Sequence, residues 1–140
     1  MFEVSIGMDA KQLREIKKRL RDCERPLVTF TREKVKEVEK QFSSMVDPDG
    51  KPWKPLKAST VRSKRQNKDK ILTHTGKMSK SIRRKTSKLS FEIKVDTDYA
   101  IYHQLGTKKM AKREILKITE SDKVRIKNLI LVFIGLKQRA

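Results

Sequence analysis

The sequence predicts an α+β domain: two N-terminal helices, a small mainly antiparallel sheet and a C-terminal helix. Three observations carry this prediction. Apolar residues recur at three- and four-residue spacing near both ends, at Leu13, Ile16 and Leu20 and again across Val124, Ile126, Leu129, Ile130, Phe133 and Ile134. In the middle, Phe91, Ile93 and Val95 alternate with Glu92 and Lys94, as in a half-buried strand. Between these segments stand turn-forming clusters, above all DPDGKPWKPL at 47–56 and THTG at 73–76.

At the N-terminus, Phe2, Val4 and Ile6 alternate with Glu3 and Ser5 as a short opening strand would, ended by Gly7. Asp9 can then cap a helix over about 9–23, with Lys17, Lys18, Arg19 and Arg21 on its polar faces. Pro26 fits the first turn of a second helix, whose stripe of Leu27, Phe30, Val35, Val38, Phe42 and Met45 runs to about residue 45. The two helices form either an antiparallel pair or one long bent helix. Asp49-Gly50 is a turn signal, and Pro52 and Pro55 fix an extended path around Trp53. Trp53 has two readings, a plug that closes the core under this loop or an exposed anchor for a partner.

Ser59 or Thr60 can cap a short helix through about Lys64, and RQNKDK at 65–70 reads as a polar basic loop. Leu72, Thr73, Thr75 and Gly76 form a turn into a helical stretch from Met78 to Arg84, followed by a strand within Lys88–Val95. Tyr99 to Gln104 has strand or mixed character, and Ile115, Leu116 and Ile118 form a short extended apolar element. Ser121 or Asp122 caps the last helix, which is too apolar for free solvation and belongs either in the core or in an oligomer interface.

A length of 140 residues fits one domain, 1–140, with a basic loop at about 57–70. Hydrophobic residues make up 36% and charged residues 38%, and the mean hydropathy is -0.71, so a partner subunit is a plausible means of completing the core. The formal net charge of +19 favours nucleic acid, acidic protein surfaces or anionic lipid as partners. Residues 46–95 hold 15 of the 36 Lys and Arg but only 4 of the 17 Asp and Glu. Within them, Arg62, Lys64, Arg65, Lys68 and Lys70 have only Asp69 as an acidic neighbour, and are the candidate DNA-facing or partner-facing cations. The alternative for such lysines is a solvated face that keeps the chain soluble.

Cys23 is the sole cysteine, which fits a reducing compartment and a small packed side chain. No basic leader with an apolar core opens the chain, and the longest apolar run, Leu129 to Ile134, is six residues against the roughly 20 needed to span a bilayer. Neither an export signal nor a membrane partner is expected.

The motifs offer little to catalysis. His74 and His103 are the only histidines, and with Cys23 they lack the spacings of a zinc site. Ser81 has no base beside it in sequence, Gly76-Lys77 lacks the earlier glycine of a phosphate-cradling loop, and Asp47 with Asp49 suits a turn better than a nuclease metal site. No enzyme activity, metal or cofactor is expected. For nucleic acid, Phe91, Tyr99 and Tyr102 do not form a stacking platform, which leaves sequence-independent phosphate contact.

FSSMVDPDGKPWKPLKASTVRSK, ILTHTGKMSKSI, YAIYHQLGT and REILKIT, in this order and spacing over about Phe42 to Thr119, resemble the phage virion morphogenesis family, the tail-completion and head-to-tail joining proteins of Mu-like tailed bacteriophages. One departure is Ala111-Lys112-Arg113, where the family commonly has a PAR-like element. The resemblance implies a structural virion protein of the neck or tail end, present in the host cytoplasm during assembly. It further implies a homo-oligomeric ring, a hexamer, between neighbouring neck, tail-terminator or tail-tube proteins, with genome DNA passing through. Trp53, Gly76, Tyr99, Tyr102, His103, Gln104 and Gly106 fall on its motifs and are expected to serve structure or interface. The alternatives from the residues alone are a sequence-independent DNA-binding module and, behind it, a metal-dependent nuclease.

Overall fold

Pro26 divides the N-terminal half of the chain. Its ring crowds the carbonyl of residue 22 and it lacks an N–H to donate, so a helix running through this point is kinked or broken. The computed structural model, which describes residues 9–138, accordingly shows two separate helices, α1 (Ala10–Leu20) and α2 (Glu24–Ser44), broken at Arg21–Cys23. The expected opening strand at Phe2–Ile6 lies outside the described residues. Asp9 caps α1 as its residue type predicts, accepting from the Gln12 N–H at 2.7 Å while the Gln12 side chain accepts from the Asp9 N–H. No residue of α1 is buried, however, and Leu13 and Leu20 remain 44% and 43% exposed.

The long helix α2 is the spine. Leu27, Phe30, Val38 and Phe42 are buried along one face, and Met45 ends the helix in the left-handed region at φ 56°. Its other contacts are α6 (Glu120–Phe133), α4 (Lys77–Lys80) and the hairpin β1 (Ile82–Thr86) and β2 (Phe91–Val95). The hairpin is antiparallel, with Ile82 opposite Val95, Arg84 opposite Ile93 and Thr86 opposite Phe91. Its inner residues meet α2, where Phe91 stands edge-to-face against Phe30 at 5.3 Å. The core joins Val38, Phe42, Trp53, Met78, Ile82, Ala100 and Ile115. The fold is α+β, with N-terminal helices, a two-stranded antiparallel sheet and a C-terminal helix.

Three expected elements differ. The helix placed at Met78–Arg84 stops at Lys80, because Ile82 onward is taken up by pairing with β2 and packing on α2. Tyr99–Gln104, read as strand or mixed, is the helix α5 (Ala100–Leu105). The short helix α3 (Ala58–Ser63) starts at a Lys57 cap with no side-chain bond, two residues before Ser59, the nearer of the expected caps Ser59 and Thr60.

α6 is capped by Thr119, not by Ser121 or Asp122. Thr119 Oγ1 accepts from the Asp122 N–H, and the Asp122 carboxylate accepts from the Thr119 N–H at 3.0 Å. Asp122 is also the buried partner of Lys34 on α2, at 2.6 Å, with both side chains about 95% buried. Arg125 completes this joint, bonding Asp122 at 2.9 Å and Glu37, and lying 5.1 Å over the Phe30 ring. Lys34 and Asp122 therefore fix the rotation of α6 against α2. The apolar residues of α6 are not core: Leu129, Ile130 and Phe133 are half-buried and Val124 is 57% exposed.

Candidate functional site

The segments that carry the sequence motifs are far apart in the chain and meet around one stretch, Arg113–Leu116. Asp47 shapes the first of them: its carboxylate accepts from the N–H groups of Asp49 and Lys51 at 2.9 and 2.8 Å, and Gly50 takes φ 82° to close the turn. The chain then runs back along the end of α2, with Trp53 N–H donating to Met45 O at 2.9 Å. This delivers Trp53 into the core, 4% exposed, edge-to-face with Phe42 and donating its indole N–H to Glu114 O at 2.9 Å. Of its two readings, Trp53 takes that of the plug.

Arg113 holds the other side of the same loop. Its guanidinium donates to Lys54 O at 2.8 Å and Pro55 O at 2.9 Å, and its backbone N–H donates to His103 O at 2.8 Å. At 7% exposure it is one of the few buried cations, and burial pushes its guanidinium below the usual range. Outside the loop, Lys117 bonds Asp49 at 2.7 Å. That bond, before any other influence, holds the Asp49 carboxyl below the usual carboxylate range.

Gln104 does what a neighbouring strand would do. Its Oε1 accepts from the N–H groups of Ile115 and Leu116 at 2.8 and 3.0 Å, and its Nε2 donates to Leu116 O at 2.7 Å. Gln41 on α2 donates to Ile115 O at 3.0 Å. The expected extended element at Ile115–Ile118 belongs to no helix and no ladder, its buried peptide groups being met by two glutamine side chains. Gly106 follows α5 at φ 72°, where a Cβ would stand 2.9 Å from Lys112 N, so only glycine lets the 106–112 turn close. Gly76 has φ 77° at the start of α4, with its nearest neighbour at 3.8 Å, so it is required by conformation alone.

The tyrosines of the remaining motif residues face outward. Tyr99 and Tyr102 are 39% and 54% exposed, and Ile101 and Leu105 are exposed beside them. His103 is half-buried, its Nδ1 without a partner among the described residues; burial, then the Arg113 charge, lowers its pKa and keeps the ring neutral at pH 7. A cleft of about 240 Å³ lies between His103, Tyr99, Leu56, Thr60, Lys64 and His74, so the basic loop and α5 border a common space.

The basic residues divide. Arg62, Arg65, Lys68 and Lys70 are exposed, whereas Lys64 turns inward and donates to the carbonyls of Asn67, Lys70 and Thr73 at 2.7, 2.6 and 2.7 Å. All three ammonium protons are used, so Lys64 organises the loop that displays the other four. Burial, only partly offset by Asp69, lowers its pKa. Nothing in the sequence separates Lys64 from its neighbours, and nothing there marks Arg113 or Gln41 as clamps.

Among the described residues no three His, Cys, Asp or Glu side chains converge as metal ligands, and no helix is long and apolar enough to cross a membrane. What the arrangement does chemically is to join four sequence segments by backbone-directed hydrogen bonds, while leaving tyrosines, apolar residues and cations on display. No curated protein and no solved structure gives a significant match to the chain. The sequence model of the phage virion morphogenesis family matches residues 9–134, within which lie all the motif segments that meet at Arg113–Leu116. The chain belongs to the phage virion morphogenesis family, and is a virion-associated morphogenesis protein of a bacteriophage.

Proposed function

We propose that the protein is the neck or tail-completion subunit that joins head to tail, acting as one member of a ring, a hexamer, through which the genome passes. One observation carries this reading most directly: the apolar side of α6 is only half covered. Together with α1 and the start of α2 it walls an open groove of about 1590 Å³, into which Val28, Leu129, Val132 and Phe133 look alongside Arg19 and Arg25. A surface of this size and mixed character in a small domain fits contact with other protein subunits better than with solvent. Its rigid support, the Lys34–Asp122–Arg125 joint, suits a building block. The test is particle assembly: with the protein withheld, electron microscopy should find filled heads and finished tails that stay separate. Joined particles in its absence would refute the role.

The exposed Arg62, Arg65, Lys68 and Lys70 favour a second reading, sequence-independent DNA binding, with the same residues in the ring's lumen under the first. Acidic faces of neighbouring rings are the competing partner for these cations. Neutralising the four while keeping Lys64 separates the cases. DNA lost from otherwise joined particles supports the lumen, and unjoined particles with DNA retained support protein docking. Salt-dependent DNA retention by the isolated monomer would favour the binding module.

A further inference from the structure

We infer that the outer edge of β2 pairs with the same edge of a second copy of this chain, forming a continuous four-stranded sheet across a two-fold axis. A two-stranded sheet is marginal by itself, and both its edges are open unless something covers them. The hydrogen-bond alternation fixes which groups face outward. Asp96 N–H donates to Ser81 O at 2.9 Å and Ser87 N–H to Ser90 O at 2.8 Å, so the bonded pairs are 81/96 and 87/90, and by alternation Arg83/Lys94 and Lys85/Glu92. The N–H and C=O groups of Phe91, Ile93 and Val95 therefore point away from β1. Among the described residues none of them has a partner.

The β1 edge is less open. α2 packs chiefly on β1, the Arg83 guanidinium donates to Ile82 O at 3.2 Å, and Arg84 reaches back to Thr31 at 3.5 Å. On β2 the inner side chains Phe91, Ile93 and Val95 are all only half-buried, which leaves apolar surface along the open edge.

The sequence of β2, FEIKV, is self-complementary when set antiparallel to itself about Ile93. In that register Ile93 meets Ile93, and Phe91 meets Val95, all in bonded positions, so every outward group of one strand finds one on the other. On the opposite face, Glu92 of each copy stands against Lys94 of the other in the closer, non-bonded positions. Within one chain Lys94 stands opposite Arg83, a like-charge pair relieved among the described residues only by exposed Asp96 at 3.6 Å, and among those residues Glu92 has no ion-pair partner within 4 Å. Across the joined sheet the charges become Arg83, Lys94, Glu92, Lys85. A shift of two residues either way would set Lys94 against Lys94 or Glu92 against Glu92. The occupant that fits is thus another β2.

A two-fold contact closes on itself and does not build a ring, so it is separate from the contacts proposed above and describes how free copies pair. Each chain carries a formal +19, so the measurement belongs near 0.15 M salt, where charges more than about 8 Å apart are screened. Sedimentation equilibrium of the full chain should find a dimer, with the amides of 91, 93 and 95 protected from hydrogen exchange in proportion to dimer. Glu92→Lys and Lys94→Glu should each weaken pairing by about tenfold or more, and the double variant Glu92→Lys/Lys94→Glu should restore it. Ile93→Pro removes an outward N–H and no β1–β2 hydrogen bond, at the cost of the Ile93 side-chain packing on the core, so pairing should be lost while the hairpin persists by circular dichroism, with Ile93→Ala as the control for the lost packing. A chain that stays monomeric, a double variant no better than the singles, or edge amides protected in a monomer would overturn the inference.

Discussion

Replacing Gln104 by alanine removes three hydrogen bonds from one place without changing the fold's apolar content. The bonds are those accepted from Ile115 N–H and Leu116 N–H and the one donated to Leu116 O, at 2.8, 3.0 and 2.7 Å. Ile115 is 1% exposed, so its N–H has no route to water and bears the full cost of an unmet donor, about 1–3 kcal/mol. Leu116 is half-buried, and its two groups can be partly hydrated, at about 0.5–1 kcal/mol each. The expected loss is therefore ~2–5 kcal/mol, and at about 4 °C per kcal/mol for a chain of this size the melting temperature should fall by ~8–20 °C. Gln104→Glu keeps both accepted bonds and loses the donated one, so it should fall between the wild type and the alanine variant. Denaturant unfolding gives the free energies, and hydrogen exchange at Ile115 and Leu116 locates the damage. A Gln104→Ala protein within about 0.5 kcal/mol of wild type, with those two amides equally protected, would refute the idea that Gln104 stands in for a strand.

Gly106→Ala should cost more than Gly50→Ala in thermal unfolding. Both have positive φ, but a Cβ at 106 meets Lys112 N at 2.9 Å while at 50 it meets nothing within 4 Å; equal losses would contradict this geometry. Left-handed strain alone is worth about 1–2 kcal/mol, and the backbone clash adds to it at 106. Asp122→Asn should cost about 3 kcal/mol, the low end for breaking a buried pair, because Glu37 lies 3.7 Å from the stranded Lys34 ammonium. Burial by itself would raise the Asp122 carboxyl, but the bonds from Lys34 and Thr119 outweigh it and hold the group below the usual range. Its stabilisation is then complete above the unfolded value near ~3.9 and lost as pH falls through the folded value, so stability measured in that acid window should flatten in Asp122→Asn. His103, with its pKa lowered, works at a higher pH: the unfolded chain takes up its proton first, so stability is full above about 6.5 and declines below it. His103→Ala should remove that decline and lower stability at pH 7, with assembly impaired; a hydrolytic activity lost in this variant would overturn its structural reading.

The α+β composition of the chain was legible because periodicity is a local property. α2 and α6 announce themselves by spacing, and β2 by alternation, since one side of each must leave water whatever it packs on. Caps and turns at Asp9, Asp47 and Gly50 are equally local, and so is the family signature, which is a matter of order and spacing along the chain. Pairing is not local. SIRRKT has no strand pattern of its own, and it becomes β1 because β2 and α2 offer Ile82 a buried site. Arg113 and Gln41 look like any surface polar residues until the fold brings unmet carbonyls to them, Gln104 is marked by its motif but not by its partners, and Lys64 looks like its neighbours until three carbonyls surround its ammonium. Sequence by itself determined the two N-terminal helices, β2, the last helix and where the charge lies, but not β1 or α5. Tertiary structure alone decided which polar groups are satisfied by which, because a hydrogen bond between residues dozens of positions apart depends on the whole path of the chain between them.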